Sequence, residues 1–80
     1  VKARIYVTLK RGVLDPQGKA VQRSLSQLGM EGVEDVRVGK FMEATLDVPD
    51  RAAAEALLES ACRTLLANTV IEDYRYEIEG

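Results

Sequence analysis

The first ten residues alternate between apolar and polar without interruption. Val1, Ala3, Ile5, Val7 and Leu9 fall on one face of an extended chain; Lys2, Arg4, Tyr6, Thr8 and Lys10 fall on the other. A period of two marks a strand with one buried face. Such a strand needs neighbours along its edges and an apolar layer over one side. The rest of an 80-residue chain, room for one domain, has to supply both.

The following segments read as those neighbours and that layer. Gly12 ends the alternation. Asp15 is placed to cap a helix, and Pro16 sits at the first helical position, where a missing N–H costs nothing. Val21, Leu25 and Leu28 then recur at helical spacing up to Gly29, a left-handed terminator, so a helix is predicted over 16–28. Val36 and Val38 alternate with Asp35 and Arg37, a second strand. Gly39-Lys40 interrupts it as a hairpin turn or a bulge, and the residues leave both open. Met42, Ala44, Leu46 and Val48 alternate with Phe41, Glu43, Thr45 and Asp47, a third strand. Asp50 caps a second helix with a stripe of Ala54, Leu57, Leu58, Ala61 and Leu65, ending at a left-handed Asn68. Val70 to Ile78 is a fourth strand, with Tyr74, Tyr76 and Ile78 opposite Asp73, Arg75 and Glu77. The order βαββαβ predicts a single α+β domain over 1–80: a ferredoxin-like two-layer sandwich, an antiparallel sheet with two helices on one face.

Composition narrows the chemistry. Thirteen acids and eleven bases are interspersed, with a net charge of −2, so no phosphate-backbone footprint is indicated. The central strands read as lacking the paired exposed aromatics that stack bases, and nucleic acid is not an expected partner. Histidine is absent, which removes the commonest general base and metal ligand. The lone Cys62 suits a reducing compartment. No apolar run reaches the ~20 residues that span a bilayer, so a cytoplasmic protein without a membrane partner is expected. No nucleophile–base set, metal-ligand spacing or phosphate loop occurs. Glu31, Glu34 and Asp35, and Glu72 and Asp73, fall in polar turns or on strand surfaces. No catalytic, cofactor-binding or metal residue is therefore expected.

Four features remain, each with a plain and a sharper reading. Arg4, Arg37, Arg75, Glu43, Asp47 and Glu77 on the open sheet face are a solvated surface, or a mixed-charge interface suited to a two-fold partner. Gly18 belongs to an ordinary helix start behind the Asp15 cap and Pro16, or, because a glycine in the first turn costs about 1 kcal/mol against alanine, it marks something packed close to the backbone. Arg37-Val38-Gly39-Lys40 is a turn with flanking charges, or a basic hairpin tip that docks on a partner. Leu66 lies off the helical stripe, towards Glu59 and Arg63, as an exposed leucine or the centre of a contact. Cys62 reads as a small buried hydrophobe.

These residues also carry a resemblance. Leu9-Lys10-Arg11-Gly12-Val13-Leu14-Asp15-Pro16-Gln17-Gly18 with Ala20-Val21, then Val36-Arg37-Val38-Gly39-Lys40, then Leu65-Leu66-Ala67-Asn68 with Val70-Ile71-Glu72-Asp73-Tyr74, resemble the PurS family over essentially the whole chain. Thr69 stands where the family usually has proline. The resemblance implies a small non-catalytic partner of a large synthetase subunit and a glutaminase subunit. Together these convert formylglycinamide ribonucleotide, glutamine and ATP to the amidine, with ATP and magnesium used in the synthetase. It also implies a homodimer or higher oligomer that bridges the two and supports ammonia transfer. Carried onto the matching motifs, the partner-binding candidates are Asp15, Gln17, Gly18, Arg37, Gly39, Lys40, Asn68 and Glu72. The alternatives are a stand-alone ferredoxin-like module binding a small effector, and an acyl-phosphate hydrolase, against which Asp15 and Pro16 argue.

Overall fold

A computed structural model of the chain describes residues 1–79. The alternating N-terminal segment is strand β1 (Lys2–Leu9), and it is the middle strand of the sheet. Strand β2 (Lys40–Thr45) pairs antiparallel along one edge, with Ile5 opposite Met42; strand β3 (Glu72–Glu79) pairs antiparallel along the other, with Ile5 opposite Tyr76. Helix α2 (Arg51–Ala61) crosses the apolar face; it buries Ala54 and Leu58, and Leu58 packs with Ala3, Ile5 and Val7. Its cap is Asp50, which accepts a hydrogen bond from the Ala53 N–H at 2.8 Å. Towards β3, Glu59 accepts from the hydroxyls of Tyr74 (2.8 Å) and Tyr76 (3.1 Å), which holds the helix over that side of the sheet. The class is α+β, antiparallel and ferredoxin-like, with one strand fewer than expected. No helix among the described residues is long and apolar enough to cross a membrane.

The missing strand is Val36–Val38. Alternation alone does not make a strand when its backbone groups are taken elsewhere. The Val38 N–H is held by the Asp15 carboxylate at 2.9 Å, and the Val36 carbonyl lies against Gly18. Gly39-Lys40 is accordingly not a hairpin turn: no strand precedes it, and Lys40 simply begins β2.

The end of α2 also differs. Cys62–Leu66 is a π-helical turn, and one extra residue per turn rotates the positions beyond it around the axis. Leu65, expected on the buried stripe, is 82% exposed, whereas Leu66 packs against the core and Ala67 is buried. The segment ends on an extended Ala67, not on a left-handed Asn68; no non-glycine residue among those described has positive φ.

Helix α1 (Pro16–Gln27) ends as predicted. Gly29 has φ 88°, and the Gly29 and Met30 N–H groups donate back to the Ser26 and Leu25 carbonyls. Its apolar stripe, however, is not laid on the sheet. Gly18 is its only buried residue, Leu28 is 73% exposed, and no α1 residue joins the core cluster. The chain is consequently elongated, 51 × 26 × 14 Å. Its radius of gyration is 16.1 Å, where a compact domain of this length has about 12 Å.

Candidate functional site

The motif residues converge where α1 leaves the sheet. Asp15 is 6% exposed and uses both carboxylate oxygens: Oδ1 accepts from the Gly18 N–H at 2.8 Å and Oδ2 from the Val38 N–H at 2.9 Å. One side chain thus caps α1 and ties it to a segment more than twenty residues away. These two amides, with the Arg37 charge assisting, hold the Asp15 carboxyl below the usual carboxylate range against the opposing effect of burial. Gly18 permits the join, because a Cβ there would run into the Val36 carbonyl.

Arg37 closes the other side. Its guanidinium donates to the carbonyls of Leu9 (3.2 Å), Lys10 (3.0 Å) and Val13 (3.4 Å), satisfying the chain where it leaves β1. Gly39 lies against β1 so closely that a Cβ would stand 2.5 Å from the Val7 carbonyl oxygen. Lys40 reaches Glu72 at 3.7 Å. Glu72 also accepts from the Asn68 N–H at 2.8 Å, while its own N–H donates to the Asn68 carbonyl at 2.7 Å. Gln17 is exposed and lines a groove of about 240 Å³ that also includes Pro16, Gly39, Lys40 and Glu72.

All eight candidate residues therefore meet at one end of the sheet, in one connected knot. The basic hairpin tip does not form: Arg37 and Lys40 are engaged within the chain rather than presented together. The anchoring role of Arg37 was not visible in the sequence, since its acceptors are backbone carbonyls 24 to 28 residues distant.

The open face of the sheet carries a second feature that sequence reasoning missed. Tyr6 and Phe41 are register partners with ring centroids 5.1 Å apart, and the Arg75 guanidinium sits 3.8 Å above the Tyr6 ring. The middle strand β1 and the edge strand β2 together carry a pair of aromatics on this face, where the sequence reading expected none. Arg4 pairs with Glu79 at 2.8 Å and Arg75 with Glu77 at 3.7 Å. Arg37 has left this face for the knot.

A family model described as PurS, phosphoribosylformylglycinamidine (FGAM) synthase, matches residues 2–80. The chain belongs to the PurS family. It is 59% identical over 75 residues to the phosphoribosylformylglycinamidine synthase subunit PurS of Synechocystis, covering 94% of this chain and 75% of that one. It superposes on a crystal structure of Bacillus subtilis PurS with a TM-score of 0.90 at 53% identity, covering 99% and 98% of the two chains. Methanocaldococcus jannaschii PurS, described as one of the subunits of formylglycinamide ribonucleotide amidotransferase in the purine biosynthetic pathway, gives 0.89 at 36% identity, covering 98% and 94%. A chain in the PurLQS structure from Thermotoga maritima gives 0.88 at 29% identity, covering 95% and 93%. The ferredoxin-like class and the family resemblance both hold over the whole domain.

Proposed function

We propose that this PurS chain is a non-catalytic subunit of the formylglycinamide ribonucleotide amidotransferase of purine biosynthesis, working in the cytoplasm as a homodimer. It bridges the synthetase, which uses ATP and magnesium, and the glutaminase, and it supports passage of ammonia between them. The observation that carries this reading is the whole-chain likeness to PurS, including a chain found within a PurLQS assembly. The physical role is positioning. A rigid dimer touching two large subunits converts their encounter into an intramolecular one, with a large gain in effective concentration and no new chemistry. The knot around Asp15 and Arg37 suits this, because it fixes a protruding helix relative to the sheet. The test is glutamine-dependent amidotransferase activity of the two large cognate subunits with and without the chain. Activity and co-elution that require the chain support the reading; activity indifferent to it, with no co-elution, refutes it.

A further inference from the structure

One guanidinium on the open face of the sheet is held in two ways at once. Arg75 of β3 lies 3.8 Å above the ring of Tyr6, its register partner on β1, and reaches the Glu77 carboxylate at 3.7 Å. The negative face of the ring and the carboxylate share one cation. A planar guanidinium can serve both, because stacking uses its face and leaves the N–H groups at its edge free to donate.

The same combination of ring and carboxylate occurs again on β2, without a cation. Phe41 and Glu43 are two residues apart on this face, about 6.8 Å along the strand. The Phe41 ring packs on Tyr6, with centroids 5.1 Å apart, yet the residue is 53% exposed. Arg4 stands opposite Glu43 in the register, but its guanidinium is drawn to Glu79 on the far side, at 2.8 Å. Among the described residues Glu43 joins no ion pair. It borders a shallow hollow of about 140 Å³ beside Thr45.

We propose that Phe41 and Glu43 receive an arginine of one of the two large subunits, its guanidinium stacked on the exposed side of the Phe41 ring and its N–H groups donated to the Glu43 carboxylate. This inference rests on the adaptor reading and names a surface for it. Charge chooses the occupant. Among the described residues this face carries Lys2, Arg4 and Arg75 against four acids, and both arginines are already paired within the chain. A second copy presenting the same face would bring excess negative charge and no unpaired arginine, whereas a partner arginine supplies the missing cation. Lysine fits less well, because an ammonium is a point charge that cannot lie flat on the ring and donate sideways to the carboxylate. Aromatic side chains that receive an arginine are also the kind that dominate the energetics of protein interfaces.

The experiment titrates the full chain into the two cognate large subunits with glutamine, ATP and magnesium, and reads the chain concentration that gives half-maximal glutamine-dependent activity. Glu43→Gln should raise that concentration at least about 10-fold and flatten its dependence on added salt. Phe41→Leu, which keeps an apolar side chain and removes the ring, should raise it about 2- to 30-fold. Both residues are exposed, so the circular dichroism of the variants should match the wild type. Glu31→Gln removes the same charge from an exposed turn and should titrate like the wild type. With p-benzoylphenylalanine in place of Phe41, illumination of the assembled complex should join this chain to a large-subunit peptide that contains an arginine. Glu43→Gln that titrates like the wild type, Glu31→Gln that is as weak as Glu43→Gln, or crosslinks confined to a second copy of the chain overturn the arginine seat and leave the adaptor reading standing. A wild-type chain that neither raises the activity nor co-elutes with the large subunits overturns both.

Discussion

Replacing Gly18 with alanine sets two effects of known sign against each other. Alanine is the better helix former by about 1 kcal/mol, so on propensity alone the variant should be more stable. Against this, the new Cβ overlaps the Val36 carbonyl and stands 2.9 Å from Oδ2 of Asp15. The obstruction is backbone, not the tip of a flexible side chain. Val36 cannot retreat freely either, because its neighbours Arg37 and Val38 are bonded to Leu9, Lys10 and Asp15. Overpacking of this kind costs about 1–3 kcal/mol, and a site braced on both sides belongs at the upper end. The net is a loss of about 2 kcal/mol, which at about 4–8 °C per kcal/mol for a domain this size lowers Tm by about 8–16 °C. Gly32 is the control: its φ is not positive and nothing lies within 4 Å of a Cβ there, so Gly32→Ala should be neutral or slightly stabilising. Both are measured by thermal melts at one protein concentration. A Gly18→Ala protein melting at or above the wild type would show that the approach of Val36 to α1 is not as drawn, and the account of the knot would fall with it.

Two further outcomes rest on the titrating groups. Asp15 and Glu59 have folded pKa values depressed, by the Gly18 and Val38 amides and by the Tyr74 and Tyr76 hydroxyls respectively. The unfolded chain therefore binds more protons, and their stabilisation is complete above the unfolded values of about 4 and is lost as pH falls through the lower folded values. Melts from pH 7 to pH 2.5 should show stability dropping below about pH 4, with a shallower drop in Asp15→Asn; an unchanged slope in that variant would remove Asp15 from the explanation. Cys62 is fully buried, and burial first, then the neighbouring Glu59 charge, pushes its thiol pKa up. It should react with a thiol reagent at pH 7 only after denaturant is added, and fast reaction of the native protein would contradict this packing.

What was legible in the sequence was whatever a periodic local pattern specifies. β1, β2 and β3 stand within a residue or three of their predicted limits because alternation needs no knowledge of neighbours, and both helices start where Asp15 and Asp50 cap them. The failures come where a residue's role is set by a partner far along the chain. Val36 and Val38 alternate like a strand, but the Val38 amide is held by Asp15 and the Val36 carbonyl is packed against Gly18. Tyr6 and Phe41 were each placed on the right face, yet only the register brings their rings together, tilted and 5.1 Å apart. Leu65 and Leu66 exchange places because a π turn leaves no mark in a stripe counted at the α-helical period.

Helix α1 is the instructive case, for its pattern was read correctly and its consequence was not. An amphipathic stripe states that a helix has an apolar face to cover; it does not state which sheet will cover it. Lying on the sheet and standing away from it satisfy the same periodicity. The choice is made at the hinge, by Gly18 admitting the Val36 carbonyl, Asp15 bonding both ends, and Arg37 gathering the carbonyls at the exit from β1. Those residues contribute little apolar burial, and a stability argument confined to the core would pass over them. Their effect is to direct where the apolar stripe can go, which is why a run as polar as Leu14-Asp15-Pro16-Gln17-Gly18 can matter as much to the shape of the chain as the hydrophobic face it orients.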